Sequence, residues 1–123
     1  MSVLPTATIA IRRPDGEIVQ DAAIGDGPVD AIFKAVERVT GVHANLHEFV
    51  VRSVTQGKDA QGEVTLELEV ESDDRSYRGR AASTDIIEAS AQAYLNAVNA
   101  IAARKERERG HVREVVGRPG AGA

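Results

Sequence analysis

Gly25-Asp26-Gly27-Pro28-Val29-Asp30-Ala31-Ile32-Phe33-Lys34-Ala35-Val36-Glu37-Arg38-Val39-Thr40-Gly41 is the stretch whose reading decides the architecture. Two glycines free the backbone ahead of Pro28, whose missing N–H costs nothing at the first position of a helix. Val29, Ile32, Phe33, Val36 and Val39 then recur with a 3.6-residue period as one apolar stripe, and Gly41 stands where a left-handed C-cap belongs. The spacing predicts a helix over 28–40.

Outward from this helix, strands follow on both sides. Residues 6–12 are short and rich in β-branched side chains, Pro14-Asp15-Gly16 supplies a tight turn, and 17–24 reads as the return strand. Downstream, Glu48 to Thr55 forms a Phe/Val-rich strand, and 56–62 is a loop with glycine at each end. Val64, Leu66, Leu68 and Val70 alternate with Thr65, Glu67, Glu69 and Glu71, so one face of that strand is buried and the other carries acids in water. Ser72-Asp73-Asp74 turns the chain into a further strand over 75–82. Asp85 with Glu88 forms a capping box that opens a long helix to about Arg109, with Ile87, Ala91, Tyr94, Val98 and Ile101 as its apolar stripe.

The two halves resemble each other. Ala7-Thr8-Ile9-Ala10-Ile11 matches Val64-Thr65-Leu66-Glu67-Leu68, and a shift of 58 positions carries Gly27, Val29, Asp30, Ala31 and Ala35 onto Asp85, Ile87, Glu88, Ala89 and Ala93. The expectation is an α+β fold of two related units, strands followed by a helix, with the helices packed on one face of mainly antiparallel sheet. Unit one spans 6–41 and unit two 46–103, together a domain over 1–103. Unit two has one strand more, and the counterpart in unit one would lie upstream of Met1. Residues 104–123 read as a charged helix end and a flexible tail.

Composition narrows the chemistry. Fifteen Lys and Arg against nineteen Asp and Glu leave a net charge of −4, which disfavours a phosphate-backbone surface, and no basic stripe with interleaved aromatics invites RNA. The absence of cysteine removes disulfides, thiolate metal centres and a cysteine nucleophile, and fits a reducing, cytoplasmic setting. No apolar run approaches the roughly 20 residues of a bilayer span. Nineteen alanines bury little area each, so a partner surface would add to a modest core.

Catalytic motifs are scarce. His43 and His47 have the spacing of two helical metal ligands, but they follow the Gly41 stop and lack a third ligand, so no metal site is expected. Gly25-x-Gly27 lacks the third glycine and the parallel crossover of a dinucleotide site. No serine sits in a nucleophile elbow. Asp26 with Asp85 is the one acid pair that a small enzyme would have to use. The two helix starts, Gly25-Asp26-Gly27 and Ser83-Thr84-Asp85, expose N–H groups that suit a carboxylate, with Asp26 or Asp85 available to an ammonium group.

Gly25-Asp26-Gly27-Pro28-Val29-Asp30-Ala31, Gly57-Lys58-Asp59-Ala60-Gln61-Gly62-Glu63-Val64 and Thr84-Asp85-Ile86-Ile87-Glu88-Ala89-Ser90, with Ala93, Tyr94 and Asn99, resemble the C-terminal regulatory domain of 2-isopropylmalate synthase in order and spacing. The regulatory domains of citramalate synthase are closely similar. The resemblance implies a dimerising α+β domain that binds leucine, or isoleucine in the second family, near the subunit interface and inhibits a separate catalytic barrel. It implies an effector site made of Gly25, Asp26, Gly27, Pro28, Val29, Leu46, Phe49, Ser53, Ala60, Asp85 and Ile86. The effector's carboxylate would meet helix N–H groups, and its side chain Val29, Leu46, Phe49 and Ile86. No cofactor is implied, and without the barrel the chain would not catalyse the synthase reaction. A purely structural dimerisation module is the other reading.

Overall fold

The computed structural model describes residues 4–54, 60–71 and 73–116, with side chains as far as 107. The order is β1 (Thr6–Arg12), β2 (Ile18–Ile24), α1 (Pro28–Thr40), β3 (Asn45–Ser53), β4 (Gly62–Val70), β5 (Asp73–Ser83) and α2 (Ile86–Val116). β1 and β2 form one antiparallel hairpin sheet, and β3-β4-β5 form a second antiparallel sheet with β4 at its centre. α1 lies on β1 and β2, α2 lies on β4 and β5, and the helices pack on each other. Each sheet therefore has one covered face, in keeping with the α+β expectation.

Local chemistry explains the elements. Gly16 takes φ +92° in the first hairpin turn, and Gly41 takes φ +71° to end α1, its N–H returning to the Glu37 carbonyl at 2.8 Å. α1 buries Ile32, Phe33 and Val36 as its stripe requires, and Ala31 and Ala35 as well. In β4, Val64, Leu66 and Leu68 are fully buried. Their neighbours on the outer face are not simply solvated: Glu63 takes the Arg80 Nε–H (2.8 Å) and Glu67 an Arg78 Nη2–H (3.0 Å).

Three aromatic rings join the units. Phe33 of α1 stacks on Tyr94 of α2, centroids 4.4 Å apart, and meets the edge of Phe49 from β3 at 5.9 Å. The chain has only two Phe and two Tyr, so most of its aromatic surface is spent on this one junction.

The internal repeat is exact at the level of register. β1 positions map onto β4 by a shift of 57 and β2 positions onto β5 by 58. Thr6↔Ile24, Ala7↔Ala23 and Arg12↔Ile18 thereby become Glu63↔Ala82, Val64↔Ala81 and Glu69↔Ser76, and the four pairs between them transfer in the same way. The one-residue difference falls in the second hairpin turn, beside a register irregularity at Glu69/Val70.

Several boundaries differ from the sequence reading. β3 starts at Asn45 and not at Glu48, because a bulge between Leu46 and Glu48 lets the ladder continue past His47. Asp73 and Asp74 belong to β5. The stripe of α2 is rotated: Ile87 is 42% exposed while Ile86 packs against the core, and Ala89, Ala93 and Ala97 join Tyr94, Val98 and Ile101 as the buried face. Gly79 explains the rotation, because a side chain there would run into the Ala93 carbonyl, so β5 and α2 meet backbone to backbone. α2 continues to Val116, beyond the expected Arg109, although Ile101 is the last residue buried among those with described side chains. Of the charged helix end and flexible tail expected over 104–123, residues 117–123 lie outside the described residues, as do 56–59 of the loop expected over 56–62.

Candidate functional site

The first glycine turn is tightly built. Gly25 donates its N–H to the Pro5 carbonyl (3.0 Å), and any side chain on it would strike the backbone of Ala31. Gly27, the N-cap of α1, has an extended φ of −157° and open space where a Cβ would stand, so neither conformation nor room demands glycine there. What glycine omits is an acceptor: no side chain caps the first turn of α1. The Gly27 carbonyl takes the Ala31 N–H (2.9 Å), which leaves the Val29 and Asp30 amides with no acceptor in the helix, and Pro28 has no N–H.

Asp30 closes the loop from the other side. Its Oδ2 accepts the Asp26 N–H at 2.8 Å and pairs with Lys34 Nζ at 3.1 Å. These contacts, the backbone one foremost, hold the Asp30 carboxyl below its ordinary range, and Asp30 in turn raises the Lys34 ammonium. The Asp26 carboxylate itself is exposed at the turn.

The second helix start brings its own side-chain acceptor. Asp85 accepts the Ile87 N–H on Oδ1 (2.9 Å) and donates its own N–H to Ser83 Oγ (3.1 Å). Asp85 thus caps α2 as expected, with Ser83 taking the reciprocal bond assigned to Glu88 in a capping box. Ile86 lies against Gly62, where a Cβ would collide with its Cδ1. Ser53 faces Gly62 across the β3–β4 ladder, and Ala60 is exposed just before β4.

β3 connects these regions. Phe49 rests on Phe33, and Leu46 lines a depression of about 220 Å³ with Asp30, Phe33, Lys34 and Tyr94. Leu46 and Val51 are each 45% exposed, and Val54 and Ile87 are exposed as well. The candidate residues therefore fall into groups: Gly25 to Val29 at the start of α1, Leu46 and Phe49 beside Phe33, and Ser53, Asp85 and Ile86 around Gly62. Leu46 is the only one of them that lines any of four depressions of about 220–260 Å³. The sequence reading missed Asp30, whose signal was its place four residues after Asp26, and Val51 and Ile87, whose exposure only tertiary packing decides.

The two histidines stand apart on separate partners, His43 Nδ1 3.0 Å from Glu37 and His47 Nδ1 3.8 Å from Glu69. Among the described residues no three His, Asp or Glu gather as a metal-holding group. No helix among them is long and apolar enough to cross a membrane.

Residues 1–102 match the family model of the LeuA allosteric (dimerisation) domain. The chain is 61% identical over 95 residues to a 2-isopropylmalate synthase of Nostoc sp., covering 77% of this chain and 18% of that protein. It is 53% identical over 104 residues to the 2-isopropylmalate synthase of Sediminispirochaeta smaragdinae, covering 85% of this chain and 20% of the relative. The chain thus spans about a fifth of the length of these curated relatives.

Proposed function

We infer, because this chain belongs to the LeuA allosteric (dimerisation) domain family, that it is an amino-acid-sensing dimerisation domain that takes leucine as effector and serves a 2-isopropylmalate synthase. One observation carries the effector reading. The first turn of α1 has amides without an acceptor and a glycine N-cap, whereas the equivalent turn of α2 supplies its own carboxylate from Asp85. An effector carboxylate at Val29 and Asp30 would complete the turn and gain from the helix dipole. The exposed Asp26 carboxylate is the nearby partner for an ammonium group.

The leucine side chain then needs an apolar wall. Phe49, exposed Leu46 and Val51 on β3, and Ile86 with exposed Ile87 at the start of α2 offer such surface. Their exposure in a single chain supports a site completed by a second copy, which ties effector binding to dimerisation. Burying an isobutyl group contributes ~1.5–3 kcal/mol, and one methylene changes affinity only about 10- to 200-fold, so valine should bind weakly and not fail outright. Condensation chemistry belongs to a catalytic barrel elsewhere in the synthase, and coupling between the two would be reciprocal.

Isothermal titration with leucine, isoleucine and valine, with sedimentation on the same samples, tests this reading. Leucine binding to a dimer is the expected result. Preference for isoleucine would point to the citramalate synthase branch, and absence of heat with all three would leave a structural dimerisation module.

A further inference from the structure

α2 outlasts α1, and the difference creates a surface that the repeat does not share. Under the shift of 58 positions, Ile101, Arg104 and Lys105 of α2 correspond to His43, Leu46 and His47, which α1 never reaches because it ends at Thr40. The β5 residues opposite them, Asp73, Arg75 and Tyr77, correspond to Asp15, Glu17 and Val19. Unit one thus carries an acid where unit two has Arg75, and that acid is paired with Arg13 at 3.3 Å. The basic residues of unit two are therefore additions to the shared architecture.

These six residues of unit two, with Val70 as the remaining wall, line a depression of about 240 Å³ between the end of the β4–β5 hairpin and α2. Arg104 and Lys105 follow Ile101 at offsets of three and four, which places all three on one helix face. Arg75 stands across from them with its side chain 52% exposed. Three cations thereby share the depression with one carboxylate, in a chain whose net charge is −4. That carboxylate is already committed. Asp73 Oδ2 accepts the Tyr77 O–H at 2.6 Å, while Oδ1 accepts the Arg75 backbone N–H at 3.0 Å and lies 3.8 Å from Arg75 Nε. It orients Arg75 and balances one of the three cations. The floor offers little apolar surface, since Ile101 is 1% exposed, so a ligand here is recognised by charge.

We propose that this depression is an anion site for a compact phosphate-bearing ligand with at least two negative charges. Arg75 and Arg104 bring planar forks, and Lys105 a point charge, to the oxygens of a tetrahedral phosphate from two sides. A carboxylate presents two oxygens in one plane and fills a single fork, so it uses less of this donor set. A phosphate held by both arginines ties the β4–β5 hairpin to α2 beyond Ile101. The site stands apart from the leucine reading, because it shares no residue with the depression that Leu46 lines.

The test is a titration of the 123-residue chain with pyrophosphate, followed by amide chemical shifts at constant ionic strength so that general screening is held fixed. The Arg75, Tyr77, Arg104 and Lys105 signals should move and saturate near or below about 1 mM, with succinate binding more weakly. Arg75→Gln and Lys105→Gln should each weaken pyrophosphate about tenfold, whereas Arg52→Gln, which removes an exposed cation on β3, should leave it unchanged. Should Arg75→Gln fail to fold, Lys105→Gln carries the comparison, because its side chain is exposed. Leucine titrations of the same samples read the other site separately, and Lys105→Gln should match the parent there. Three results would each overturn the proposal: no saturable shift up to about 10 mM pyrophosphate, equal weakening by Arg52→Gln, or tighter binding of succinate than of pyrophosphate.

Discussion

Gly27 and Asp85 hold the same position in the two halves of the chain and treat it in opposite ways. Asp85 binds the Ile87 N–H with its own carboxylate at 2.9 Å, whereas Gly27 brings no acceptor to α1. Gly27→Asp exchanges one condition for the other. The backbone is already extended and the space open, so the variant should fold and gain a few tenths of a kcal/mol from the better cap. Leucine binding should disappear, because the new carboxylate occupies the amides. Calorimetry with a thermal melt checks both, and unchanged leucine affinity would remove this turn from the site.

Gly79→Ala should be severe. The atom met by a new Cβ is the Ala93 carbonyl, which belongs to a helix backbone and cannot rotate aside. A loss of ~3 kcal/mol or more in urea unfolding is expected. A loss below ~1 kcal/mol would show that β5 and α2 can separate without cost.

Tyr94 should govern the alkaline limit of stability. Burial, and secondarily the Glu37 charge, push its phenol up to about 12. The folded value is raised, so this contribution is complete below the ordinary value of 10.0 and is lost as pH climbs towards 12. Tyr94→Phe should flatten the stability profile between pH 10 and 12. Tyr94→Ala should cost ~3–5 kcal/mol at neutral pH, because it empties the stack against Phe33.

Acid stability should depend in part on Asp30. Its folded value lies below the ordinary 3.8, so its contribution is complete above that pH and fades as pH falls through the lowered value. Asp30→Asn should make the urea midpoint less sensitive to pH between about 5 and 2. A residual slope should persist from Asp21, lowered by the Ala22 N–H and by Arg38. Identical slopes in the variant and the parent would deny Asp30 this role.

Legibility in the sequence followed the range of the forces involved. The limits of α1 were readable because Pro28 and Gly41 act on their own turns, and β4 was readable because a two-residue alternation needs only one buried face. The repeat was visible as similar residues, and its exact register follows from pairing. The phase of α2 was not readable, since Ile86 and Ile87 are adjacent and only the approach of Gly79 to Ala93 decides which faces in. The start of β3 was hidden by a bulge that breaks alternation at His47. In the candidate site, the cap at Asp85 was legible as a local pattern. Asp30 was missed because its contact folds back onto the preceding turn, and the exposure of Leu46 and Val51 depends on where both helices end.

α2 continues to Val116, fifteen residues or about 22 Å of helix past Ile101, its last buried residue among those whose side chains are described. Mechanically this is a lever whose fulcrum is the backbone contact at Gly79 and Ala93. Val116 lies about 34 Å along the helix from that fulcrum, so a tilt of about 5° would move it by about 3 Å, while core side chains near the fulcrum would shift by far less. Small repacking at the start of α2 is thereby converted into a displacement large enough for a neighbouring surface to register.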